Sequence, residues 1–135
     1  MDFDKFKNSP KFNKENYIFG TENEKKKLGI FRVYFNDDDI KQLPEGSYFD
    51  YEGDTCLIEL KTRRCSVFTY FDTAITTHKI VQSALQEKPV YFVFDFTDGL
   101  FFYRYNPRHK LRQYEIKGVS HHFIPRAYLT KININ

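Results

Sequence analysis

A chain of 135 residues fits one domain, large enough to bury roughly two thirds of its unfolded surface in a single core. Fifteen Phe and ten Tyr without a Trp predict a core built from rings as well as aliphatics, which excludes a disordered polar chain. The net charge of +3 is unevenly spread: residues 1–66 hold twelve Lys/Arg against thirteen Asp/Glu, residues 67–105 three against four, and residues 106–135 six against one. The basic C-terminal segment from about residue 106 would concentrate a polyanion such as nucleic acid, or serve only as a solvated tail.

The opening MDFDKFKNSPKFNKEN is polar and Lys/Asn-rich, so residues 1–16 are expected to be loosely ordered ahead of a single domain spanning 17–135. It lacks the apolar centre of a secretory signal, and no window approaches a membrane span; a soluble, intracellular protein with no membrane partner is expected. Cys56 and Cys65 then read as reduced structural thiols rather than a disulfide.

From Thr21 the run TENEKKKLGIFRVYF has a capping residue, acids in its first turn and apolar positions at Leu28, Phe31 and Phe35, which predicts a helix despite Gly29. NDDDIKQLPEGS follows with loop chemistry and a short strand at Ile40 to Leu43. SYFDY and TCLIELKTR read as two strands of a hairpin turning at Glu52-Gly53-Asp54, where Gly and Asp would accept positive φ. DTAITTHKIVQSALQEK predicts a helix capped by Asp72 and ending before Pro89. VYFVFDF is apolar on both faces, as a central strand requires, and Asp98-Gly99 turns the chain into a last strand, LFFYRY. The predicted class is α/β, in the order helix, short strand, hairpin, helix, buried strand, final strand.

The hairpin carries charges where a strand interior selects apolar residues. Glu59 and Lys61 point to one face, about 7 Å apart along the strand. A loop centred on Gly53-Asp54 would set Asp50 opposite Leu57, diagonal to Glu59 and on that same face; a one-residue bulge would promote Asp54 or Glu52 instead. Two carboxylates at about 4 Å repel by about 4 kcal/mol at an effective dielectric near 20, and a divalent cation reverses that sign. Hard oxygens, waters and a phosphate suit Mg²⁺ or Mn²⁺, with Lys61 orienting the attacking water or steadying the transition-state anion. That chemistry points to phosphodiester hydrolysis.

An acid two residues before a lysine occurs four times, at Glu24/Lys26, Asp39/Lys41, Glu59/Lys61 and Glu115/Lys117. Only Glu59/Lys61 has an apolar strand around it, an acid across a turn before it, and a helix and strand behind it. With these features, residues from about Gly20 to Tyr105 resemble the PD-(D/E)xK nuclease superfamily, Asp50 and Glu59-Leu60-Lys61 matching its acid and acid-x-Lys. The resemblance implies a restriction-endonuclease-like core, a mixed β-sheet flanked by helices in the order αβββαβ. It also implies a Mg²⁺-dependent nuclease acting on DNA, with a homodimer as its expected assembly.

In that scheme Asp50, Glu59 and Glu24 hold the metal, Glu22 being the other choice on the first helix, and Gln82 or Lys79 assists from the second. Catalysis would rest on Glu24, Asp50, Glu59, Lys61 and Gln82. Arg63 and Arg64, directly after the lysine, together with Lys79, Arg108 and Lys110, are the expected nucleic-acid contacts. Phe49 stands where the family pattern has a proline, and the spacing of nine from Asp50 to Glu59 is short. A catalytically inactive nucleic-acid-binding or assembly module of the same fold is the alternative. Asp98 reads as a turn residue, Asp95 as the end of a buried strand, and His121-His122 as incidental.

Overall fold

A computed structural model describes residues 25–134 of the chain; the expected N-terminal segment 1–16, and Glu22 and Glu24, lie outside the described residues. The first helix among the described residues, here α1, covers 25–34 of them, and residues 35–37 end it in a Schellman arrangement. Asn36 takes the left-handed conformation (φ 50°), and Asp37 N donates back to the Arg32 carbonyl at 3.0 Å.

Nine strands follow: β1 (Lys41–Gln42), β2 (Tyr51–Glu52), β3 (Leu57–Thr62), β4 (Asp72–Thr76), β5 (Val90–Phe96), β6 (Gly99–Arg104), β7 (Arg112–Ile116), β8 (Val119–Pro125) and β9 (Thr130–Lys131). A second helix, α2 (Thr77–Ala84), lies between β4 and β5, and a 3-10 turn (Arg126–Tyr128) precedes β9. The main sheet has the order β1-β2-β3-β5-β6-β9, with β3 and β5 parallel and every other pair antiparallel. A second sheet has the order β4-β8-β7. The class is therefore α/β with a mixed sheet.

Strand alternation sorts the core into two layers. Ile58 and Val93 pack with Phe31 of α1 and with Tyr51, Leu100 and Ile132 on one face. Leu57, Phe92, Phe94 and Tyr103 pack with Ile80 of α2 and with Ile75 and Ile124 of the second sheet on the other. Glu59 and Lys61 share the parity of Leu57, so they lie on the α2 side. β5, between β3 and β6, has Phe92, Val93 and Phe94 wholly buried, as its apolar run predicts.

Three expectations need correction. The helix read from Asp72 begins only at Thr77: Asp72–Thr76 is strand β4, with Thr73 and Ile75 buried and their neighbours half-exposed, a period of two that continues into pairing with β8. Asp72 caps no helix and instead accepts from Arg112 Nη2 at 3.3 Å. Of the two readings of the basic segment after 106, the solvated tail fails: it builds β7, β8 and β9, with its cations spread over these strands, their turns and the 3-10 turn, and Arg112 alone of them on the fully exposed β7.

The hairpin register also differs. Tyr51 pairs with Ile58 and Glu52 with Leu57, so the turn centres on Asp54-Thr55, and Asp50, just before β2, donates its amide to the Ile58 carbonyl at 3.0 Å instead of standing opposite Leu57. The Asp50 side chain nevertheless reaches Glu59, with which it shares a hydrogen bond. Gly53 is absent from the positive-φ residues, and its role is space. A Cβ there would lie 2.3 Å from Asp37 Oδ2, the oxygen that accepts from Thr55 N at 2.8 Å and Thr55 Oγ1 at 2.7 Å.

Candidate active site

The ladder between β2 and β3 stops at Tyr51, where the chain bends. Asp50 N still donates to the Ile58 carbonyl at 3.0 Å, but the next free amide of β3, Leu60 N, donates to the carboxylate Asp50 Oδ2 at 2.7 Å. The side chain thus replaces a missing main-chain partner, and the bond holds the Asp50 carboxylate against the strand that carries Glu59.

Glu59 is 3% exposed. Burial, the facing Asp50 charge and a side-chain hydrogen bond with Asp50 raise its pKa from 4.5 to about 7, against the opposing pull of the Lys61 and Lys79 ammonium groups. Those lysines reach Glu59 Oε2 from two directions: Lys61 Nζ at 3.4 Å from the same strand, and Lys79 Nζ at 3.0 Å from the first turn of α2. Lys79 is further fixed by donating to the Tyr48 carbonyl and by lying 5.4 Å from the Phe49 ring centroid. Its ammonium is thereby committed within the site rather than offered to a phosphate outside it. The resulting cluster is one buried acid that titrates near neutrality, a second acid hydrogen-bonded to the backbone, and two cations.

The remaining expected residues are dispersed. Gln82 is half-buried one turn beyond Lys79, and its carbonyl accepts from Leu85 N and Gln86 Nε2. Arg63 is turned inward: Nε donates to Thr73 Oγ1 at 3.1 Å, Nη2 donates to the Ala74 carbonyl at 2.7 Å, and the guanidinium lies 5.5 Å from the Phe94 centroid. It ties the end of β3 to β4. Arg64 is exposed beside it, and Arg108 and Lys110 are exposed in the β6–β7 connection. Asp98 holds Ser66 Oγ and Val67 N as a turn residue, and Asp95 pairs with Lys27 of α1 at 3.1 Å. His122 meets Thr77 Oγ1 at 3.0 Å and has its pKa lowered by burial. Cys56 and Cys65 are free.

From the sequence Lys79 reads as an outward nucleic-acid contact or as a helper to the metal site, because periodicity does not tell which helical lysine reaches a particular strand. The rings of 66–71 carry their own signal in the sequence, SVFTYF one residue after Arg63-Arg64. Two acids suit a hard cation that keeps waters or takes phosphate oxygens as its other ligands. Among the described residues no group of three His, Cys, Asp or Glu side chains could hold a metal, and no helix is long and apolar enough to cross a membrane. No family model, curated protein or solved structure matches the chain.

Proposed function

We propose that the chain is a metal-dependent nuclease that hydrolyses phosphodiester bonds in DNA, built on a restriction-endonuclease-like core. The observation that carries this reading is the meeting of the Asp50 and Glu59 side chains, Asp50 held just before β2 by Leu60 N of β3, with two ammonium groups within 3.4 Å of the buried acid. The order α1, β1, β2, β3, α2, β5, with β3 and β5 parallel, agrees with the core that the resemblance implies; β4 and β6 to β9 are additions to it.

Asp50 and Glu59 would hold Mg²⁺ or Mn²⁺, which when bound supplies positive charge to the phosphoryl oxygens and a water of lowered pKa. Glu59 has to release its proton first, and burial beside Asp50 delays that release to near pH 7. Lys79 anchors the Glu59 carboxylate to α2 and so limits its rotamers. Lys61, the more exposed of the two lysines, is free to orient the attacking water or to steady the developing anion.

The test is cleavage of labelled DNA with Mg²⁺ or Mn²⁺ by the wild type and by Lys61→Ala and Glu59→Gln variants whose far-ultraviolet spectra match it. Loss of about a hundredfold or more in each variant is expected, the scale of a positioned proton-transfer or electrostatic group. Undiminished activity in both ends the proposal. One observation favours the catalytically inactive module: Glu59 is already balanced by Lys61 and Lys79 without any ion. Salt-sensitive DNA binding with no cleavage under any divalent ion would select that reading.

A further inference from the structure

The connection from β3 to β4 takes no part in the proposed reaction. Its residues 66–71, Ser-Val-Phe-Thr-Tyr-Phe, expose Phe68 by 73%, Tyr70 by 66% and Phe71 by 84%, while Val67 beneath them is buried. The segment is tied at both ends. Ser66 Oγ and Val67 N donate to the Asp98 carboxylate at 2.7 and 3.0 Å, Thr69 N donates to the Ser66 carbonyl at 3.0 Å, and Arg126 N donates to the Phe71 carbonyl at 2.7 Å.

Arg126 runs across this loop. Its guanidinium lies 5.2 Å from the Phe68 centroid and 5.4 Å from the Phe71 centroid, and its Nη1 points at the Phe68 and Tyr70 carbonyls at 3.3 and 3.5 Å. A cleft of 530 Å³ opens alongside, lined by Val67, Phe68, Phe71, Phe101, Arg126 and Leu129 among others. Lys131 stands 5.9 Å from the Phe101 centroid, and Arg64 is exposed where the loop begins.

We infer that this loop and cleft form a stacking platform for unpaired bases, so that the ligand is single-stranded nucleic acid. Flat rings alternating with guanidinium and ammonium groups match a polymer of flat bases and phosphates. A second copy of the chain fits less well: two-fold pairing would bring Arg64, Arg126 and Lys131 near their own counterparts. The nearby acids offset this only in part: Asp98 faces Lys131 and Asp72 pairs with Arg112, which leaves Arg64 and Arg126 to repel across such a pair. Arg64 follows Lys61 by three residues, about 10 Å of extended chain, so one strand could span platform and hairpin. For the reaction, and resting on the nuclease reading, this makes the substrate DNA with an unpaired segment.

The experiment is fluorescence anisotropy with the full chain in EDTA, so that nothing is cut. The probes are a labelled oligothymidine of about 16 nucleotides, the upper end of ordinary single-strand site sizes, an abasic strand of equal length and a duplex of equal length. Oligothymidine should bind more tightly than the other two. Phe68→Ala and Phe71→Ala should each weaken it by roughly fivefold or more while leaving abasic binding unchanged. Both rings are largely exposed, so neither substitution empties the core. Equal binding of oligothymidine and abasic strand, or full affinity in both variants, overturns the inference. So does a change confined to sedimentation, which would make the loop a self-association surface. Failure of the wild type to cut DNA would remove the nuclease reading and leave this result standing.

Discussion

Glu59→Gln should stabilise the protein above neutral pH and leave its stability unchanged in mild acid. The folded Glu59 titrates at about 7 against 4.5 for the free side chain, and burial is the largest cause. The folded state therefore holds that proton more tightly than the unfolded chain. Its contribution is complete below about pH 4.5, declines as pH rises towards 7, and is gone above it. At 1.36 kcal/mol for each pH unit of displacement, the decline amounts to about 3 kcal/mol. Gln is a neutral isostere of the protonated acid and undergoes no such decline.

Urea unfolding followed by circular dichroism between about pH 4.5 and 8.5 reads the difference directly, because every other titrating group is common to both proteins. The curves should meet near the acid end and separate by about 3 kcal/mol at the alkaline end, which is about 10 °C in melting temperature for a domain of this size. Mg²⁺ should narrow the gap by stabilising only the wild type, since an ion that binds the folded state raises stability by mass action. A difference independent of pH would refute the reasoning. It would mean that Glu59 enters the fold already charged, as an ordinary ion-pair partner of Lys61 and Lys79.

Gly53→Ala should cost about 1 to 3 kcal/mol in denaturant unfolding, because its Cβ would overlap Asp37 Oδ2, which is held by Thr55 N and Oγ1 while Asp39 N holds Oδ1. Arg63→Ala should cost a similar amount in the same unfolding assay by releasing Thr73 and the Ala74 carbonyl. Lys79→Met removes a group that lowers the Glu59 pKa, so the acid limb of the pH profile for Mg²⁺-dependent cleavage should move upward, while Lys79→Arg restores it.

How much of this was legible depends on how local each cause is. The run VYFVFDF specifies β5 by itself, since only a strand covered on both faces tolerates it. The nearness of Asp50 to Glu59 was legible too, because an acid just ahead of one hairpin strand falls beside the middle of the other, where its carboxylate takes up Leu60 N. The register itself was not, for the turn at Asp54-Thr55 is held by Asp37, eighteen residues upstream of Thr55, at the end of α1. β4 was hidden because Asp72 resembles a helix cap and real helical spacing begins five residues later. Its partner β8 pairs Ile75 with His122, a contact that no short window contains. The cations after residue 106 leave a polyanion-attracting segment and a solvated tail equally open, because charge alone does not reveal the strand pairing of β7 with β8 that orders this segment.

The crossover between β3 and β5 joins these observations. Parallel neighbours need a long connection, and here it leaves β3 two residues after Lys61, passes through the ring-bearing loop and β4, and returns through α2 with Lys79 at Glu59. Arg63 and β8 brace this connection, through Thr73 and Ala74 on one side and the pairing with β4 on the other. Any displacement of β4 would therefore move the loop and Lys79 together, so a ligand on Phe68 and Phe71 can alter the charge around Glu59 without touching it. Adding oligothymidine should then shift the pH dependence of Glu59, read as the chemical shift of its labelled side-chain carboxyl carbon. A shift in the wild type that disappears in Phe68→Ala would establish that coupling, and an identical titration with and without the oligonucleotide would exclude it.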